Sequence, residues 1–223
     1  MTTFRKRLAG AGLMLLATTH AHAFGGSIAI GMSRITGGED LDVSFTAKAT
    51  LESAEFDLEE TIHYRPGMLR DEMQVQGQNM VTIQRHDLGT MWMIMPYGMY
   101  MEADIDQADE QMQAFELVTH EQVASETVNG MDTTKHKTVW EMDDDRYTGY
   151  SWTTDDGITV RSVLTAESGN ETHEMRFEIT SLERGPQSEN LFEVPDGYQK
   201  IDLSAMENMG NMDGMGGMGN MGN

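Results

Sequence analysis

Residues 90–102 read TMWMIMPYGMYME, and the architecture is legible from this stretch outward. Five apolar residues stand in a row from Met91 to Met95. A strand sends alternate side chains to opposite faces. Trp92 and Ile94 therefore point one way, and Met91, Met93 and Met95 the other. Pro96-Tyr97-Gly98 reads as a turn. Beyond it Met99 and Met101 alternate with Tyr100 and Glu102, the pattern of a half-buried return strand. A hairpin whose first arm is apolar on both faces must be covered on both sides. A central core hairpin fits this pattern, and so does a hairpin with one face lining a cavity for an apolar ligand. The flexible thioether of methionine adapts to irregular partners.

On either side the pattern stays β. Val43, Phe45 and Ala47 alternate with polar neighbours, and residues 61–64 form another short strand candidate. Arg65-Pro66-Gly67 marks a turn. Leu69, Asp71, Met73 and Val75 share a strand face, Gln76-Gly77-Gln78 turns, and Val81 and Ile83 share the next. Turn signals about ten residues apart predict an antiparallel meander. Residues 104–115 break the rhythm, with Asp106 placed to cap a short helix carrying Met112 and Phe115 on one side. Strand candidates resume at 133–140, 147–154, 158–165 and 174–181, with Asn129-Gly130 and Asp156-Gly157 at turns. A helical turn is expected at 188–192, before Pro195.

The ends read differently. Arg5, Lys6 and Arg7 precede a short apolar run, and Ala21-His22-Ala23 fits a small-x-small cleavage site. Residues 1–23 thus read as a secretory signal peptide cleaved after Ala23, with a periplasmic address. Residues 24–40 are glycine-rich, 41–203 form the β domain, and from Ser204 the composition collapses into Met, Gly and Asn, which predicts disorder over 204–223. Met206, Met209, Met212, Met215, Met218 and Met221 recur every third residue. In an extended chain with about three residues per turn they share one side, and soft thioethers favour Cu(I). A low-complexity tail without a ligand fits equally.

The 223 residues carry 15 Lys and Arg against 37 Asp and Glu, a net charge of −22. Cleavage after Ala23 removes three basic residues and no acidic one, which makes it −25. Such a field repels nucleic acid and anionic lipid head groups. With no cysteine there is no disulfide framework and no thiol chemistry. No catalytic residue stands out. His120-Glu121 and His173-Glu174 lack a second histidine at zinc-protease spacing. The five histidines after the leader are single and scattered, and read as surface or satisfied residues. Asp143-Asp144-Asp145 lacks the glycine and glutamate of a calcium loop, and no cofactor is called for.

Several segments, in order, resemble one family. Ser44-Phe45-Thr46-Ala47-Lys48 looks like the early strand of LolA-type periplasmic lipoprotein carriers. Arg65-Pro66-Gly67-Met68-Leu69-Arg70 resembles their arginine-proline turn and following strand. Residues 87–96, DLGTMWMIMP, resemble their central hairpin, and Leu191-Phe192-Glu193-Val194-Pro195-Asp196-Gly197-Tyr198 resembles their closing segment. The resemblance, within a LolA/LolB-like superfamily, implies a mainly β (α+β) fold: an incomplete antiparallel barrel with one or two short covering helices. It also implies an apolar cavity for acyl chains, for which the lining candidates are Phe45, Leu69, Met73, Met91, Trp92, Met93, Ile94, Met95 and Met101. It gives Arg65 the role of holding a lid. Three functions follow as expectations: a non-enzymatic periplasmic binder of an acyl chain or lipidated partner, a Cu(I) binder working through the tail, or an envelope interaction domain without a small ligand.

Overall fold

The computed structural model describes residues 41–54, 57–75, 77–105, 116–142, 145–168 and 171–201. The leader, the glycine-rich segment, the helix expected at 106–115 and the methionine tail lie outside these residues.

Twelve strands form one sheet. The first six are β1 (Phe45–Glu52), β2 (Asp57–Arg65), β3 (Met68–Val75), β4 (Gln78–Arg85), β5 (Thr90–Met95) and β6 (Met99–Asp104). The next five are β7 (Glu116–Val128), β8 (Met131–Met142), β9 (Asp145–Thr153), β10 (Thr159–Ser168) and β11 (Glu171–Arg184). A single 3₁₀ turn, Glu189–Phe192, and the two-residue β12 (Gln199–Lys200) complete the described elements. The order across the sheet is β12-β6-β5-β4-β3-β2-β1-β11-β10-β9-β8-β7. It is therefore two antiparallel meanders joined where β1 pairs with β11. Among the described residues only the contact of β12 with β6 is parallel. The two edges do not pair, so the sheet is an open, incomplete barrel.

Local chemistry places the turns. Asn129 and Gly130 both have positive φ and form a two-residue loop between Val128 and Met131, the geometry that Asn-Gly favours. Pro96, Tyr97 and Gly98 connect β5 to β6, with Tyr97 at φ 69°.

Period-two alternation sorts the side chains. Opposed residues of a ladder share a face, so the registers can be followed across the sheet. One face carries Phe45, Ala47, Ala49 and Leu51 of β1, Ile62 and Tyr64 of β2, Leu69 of β3, and Phe177 and Ile179 of β11. This inner face holds the main core. Burying a side chain such as Phe45, Leu51 or Ile62 contributes about 1.5–3 kcal/mol each relative to exposure. A smaller inner cluster of Trp140, Tyr147 and Leu164 lies toward the β7 edge.

Covalent reach requires the sheet to curl. Asp104 and Glu116 lie twelve Cα steps apart in the chain, at most about 43 Å. Ten interstrand spacings separate their strands, about 48 Å on a flat sheet. At Gly149 a Cβ atom would strike the Val163 carbonyl oxygen and stand 3.0 Å from Leu164 Cα. Only glycine allows β9 and β10 to approach so closely there.

One feature differs from the sequence reading. Strand β7 has no counterpart among the predicted strands. Its ladder to β8 shifts register between Leu117 and Thr119 and between Gln122 and Ala124. Each shift leaves one extra valine, Val118 or Val123, which erases the alternation a strand is recognised by. The turn predicted at 188–192 is present as Glu189–Phe192, and Phe192 packs against the outer face.

Candidate functional site

The registers of β3 to β6 place seven methionines on the inner face: Met73, Met80, Met91, Met93, Met95, Met99 and Met101. Met73 opposes Met80, Met93 opposes Met101, and Met95 opposes Met99. Met73 is buried and the other six are half-buried. The result is a continuous bed of thioethers on four neighbouring strands. Leu69, on the same face of β3 as Met73, opposes Tyr64 of the main core, itself stacked on Phe45 at 5.4 Å.

Trp92 and Ile94 face the other way. They join Met68, Ile83 and Tyr100 around Phe192, which is fully buried. Chain segment 189–201 crosses this outer face as a strap, held by the β12–β6 pairing and by side-chain bonds from three residues. Arg70 Nη1 donates to the Leu191 carbonyl at 3.0 Å. Arg85 donates through Nε and Nη2 to both oxygens of Asp87 at 2.7 Å each, and through Nη1 to Glu193 at 2.6 Å and the Phe192 carbonyl at 3.3 Å. Glu102 accepts from Trp92 Nε1 at 3.1 Å and from Lys200 at 2.7 Å. The Lys200 bond, then that of Trp92, holds the Glu102 carboxyl below its usual range.

The structure thus divides the candidate lining. Phe45, Leu69, Met73, Met91, Met93, Met95 and Met101 share the inner face, while Trp92 and Ile94 are packed beneath the strap. Arg65 opposes Met68 on the outer face. There its charge adds to that of Arg85, the larger influence, in keeping the Asp87 carboxyl low.

Two inner-face features were not visible in the sequence. Glu60, on β2, opposes Met73 and is buried beside Asp71. Burial, and behind it the Asp71 carboxyl, push Glu60 up to about 9, so it is a neutral acid at pH 7. In the unfolded chain it ionises near 4.5. Its contribution to stability is complete below 4.5 and is lost as pH rises toward 9. Glu60→Gln removes this loss. Its melting temperature relative to wild type is expected to climb by several degrees from pH 5 to pH 8; a constant difference would disprove the assignment. The second feature is a pair of stacked histidines, His120 and His136.

Elsewhere the outer face is polar. A depression of about 420 Å³ is bordered by Lys48, Thr50, Glu59, Thr61, Glu72 and Gln74. Toward the other edge, Lys135 lies 4.7 Å from the ring centres of both Tyr150 and Trp152, and Arg161 pairs with both oxygens of Glu178. Among the described residues no three His, Asp or Glu side chains are grouped to hold a metal, and no helix is long and apolar enough to cross a membrane.

The segments that resemble lipoprotein carriers can now be placed in this architecture. Arg65-Pro66-Gly67 makes the β2–β3 turn, residues 87–96 make the β4–β5 turn and β5, and Leu191 to Tyr198 lie in the strap. MucB in the Pseudomonas aeruginosa MucA/MucB complex superposes with a TM-score of 0.50 at 16% identity, over 79% of this chain and 64% of that one. The chain thus spans less than two thirds of MucB, and the likeness is one of fold. Weaker superpositions include a putative outer membrane lipoprotein-sorting protein domain from Vibrio parahaemolyticus, with TM-score 0.31, 11% identity, and 76% of this chain and 96% of that one covered. A DUF1329 family protein from Desulfovibrio piger also superposes, with TM-score 0.31, 10% identity, and 78% and 96% covered. No family model matches the chain, and no curated protein matches its sequence.

Proposed function

We propose that the chain is a non-enzymatic periplasmic binding protein whose methionine bed receives an acyl chain or a lipidated partner. The observation that carries this reading is the set of seven inner-face methionines on β3 to β6, most of them half-buried. Unbranched thioether side chains repack around an irregular apolar guest at little cost. Each methylene such a guest buries contributes about 0.8 kcal/mol, so a long chain binds without a charged anchor. The ordered resemblance of several segments to LolA-type carriers supports the reading, as does the fact that MucB, of similar fold, was solved in complex with MucA. The periplasmic address rests on the leader read in residues 1–23. Cu(I) capture by Met206, Met209, Met212, Met215, Met218 and Met221 is a separate proposal, and these residues lie outside the described ones.

The two faces of β5 provide the test. Met93→Glu puts a charge on the bed, where an unpaired buried carboxylate costs far more than a lost contact. A fluorescent fatty-acid probe is expected to bind wild type and to lose at least tenfold in affinity for Met93→Glu, while circular dichroism stays native. Ile94→Glu strikes the cluster beneath the strap and is expected to lower the melting temperature instead. A probe that binds neither wild type nor any folded variant ends the acyl-binding reading and leaves an interaction domain without a small ligand.

A further inference from the structure

His120 and His136 lie on neighbouring strands at the β7 edge of the sheet. His120 opposes Thr138 and His136 opposes Gln122, so the two rings sit diagonally on the inner face. Their centroids are 4.0 Å apart and their planes differ by 18°. Both Nδ1 atoms are buried without a hydrogen-bond partner. A buried polar atom left unsatisfied calls for an explanation. Metal chelation is a poor one, because near-parallel rings do not aim their lone pairs at a common point.

The strand around them supplies a better one. Strand β7 is the outermost of the sheet, and its pairing with β8 is broken on both sides of His120. Only residues 119–122 pair regularly between the bulges at Val118 and Val123. The exposed valines at the two bulges add little packing to hold the strand down. His120 is thus mounted on a four-residue island, and the stack beneath is its inward contact with β8.

The surroundings hold the rings neutral. Facing inward around them are Gln122, Thr138, Trp140, Tyr147 and Ser151, with Thr138 and Ser151 hydrogen-bonded at 2.9 Å. Of these only Tyr147 is titratable, and it ionises far above neutrality. The charged neighbours Glu121, Lys135, Lys137, Arg146 and Arg161 point to the outer face. No described carboxylate faces the pair to stabilise an imidazolium. Burial first, and the charge of His136 second, press His120 down to about 4; burial lowers His136 as well, against a backbone contact at Thr134.

We infer that the His120/His136 stack is an acid-released latch: protons taken up by the two rings break the stack and free residues 119–122 of β7 from β8, opening the inner face at that edge. Like charges at this separation repel, and each charged ring regains water by leaving the inner face. The direction follows from the depressed ionisation. The closed island is fully favoured above about 6.5, where the imidazoles are neutral even when free, and this advantage is lost as pH falls from there toward 4.

Hydrogen exchange of the full chain tests this. Amides 119–122, corrected for intrinsic exchange, are expected to lose protection on the order of tenfold or more between pH 7.5 and pH 4.5, while those of β1 and β2 keep theirs. The His120→Gln/His136→Gln double variant should show no such loss. Equal loss in that variant, or none in wild type, overturns the inference. If the double variant does not fold, imidazole and amide resonances of wild type are followed together through the titration. A shared midpoint upholds the latch, and separate midpoints refute it.

Discussion

Replacing Gly149 with alanine is expected to cost about 3 kcal/mol, seen as a melting temperature lower by about 6–12 °C. The added methyl would meet the Val163 carbonyl and the Leu164 backbone, not the yielding end of a side chain. Strands β9 and β10 must then part or slide, and both are interior strands of the sheet. The disturbance would spread to the neighbouring cluster of Trp140, Tyr147 and Leu164. Thermal melts followed by circular dichroism measure it. A variant melting within about 2 °C of wild type would show that the two strands have room to separate.

Arg85→Ala is expected to release the strap. The Arg85 side chain is 7% exposed, and its guanidinium joins two carboxylates and a backbone carbonyl on different parts of the chain. Removing one partner of a buried ion pair costs about 3–5 kcal/mol. Here Asp87 and Glu193 are about half open to water at 43% and 51%, so solvent would take over part of their stabilisation and a loss of about 2–3 kcal/mol is expected. Urea unfolding gives the magnitude, and limited proteolysis gives the location, with new cleavage within 189–201. Arg85→Lys keeps the charge but not the fork, and should fall between wild type and alanine. Unfolding without prior cleavage in the strap would show that Phe192 and its apolar neighbours hold it unaided.

These two sites also mark where sequence reasoning stops. The division of Met91, Met93 and Met95 from Trp92 and Ile94 follows from period two alone, and the structure keeps it. Which side faces inward depends on Phe192, about a hundred residues away, and on the β1–β11 pairing. Neither leaves a local trace. The turns at Asn129-Gly130 and Pro96-Tyr97-Gly98 were legible because positive φ selects particular residues. Strand β7 was not, because each bulge inserts a residue and resets the alternation. His120 and His136 are sixteen positions apart and look like unrelated single histidines until the ladder brings them together. Glu60 reads as one acidic residue among many, since burial of a carboxyl is a property of the assembled sheet.

The joining of β1 to β11 also dictates an order of assembly. Residues 45–52 find their second neighbour only among residues 171–184, and Phe45 and Phe177 share one core. A chain emerging from its N-terminus can build the first meander, yet that core stays open until most of the sequence has been made. Such long-range pairing slows folding, because loop-closure entropy is spent before the contacts form. For the export proposed from residues 1–23, that delay would keep the chain threadable until it has crossed.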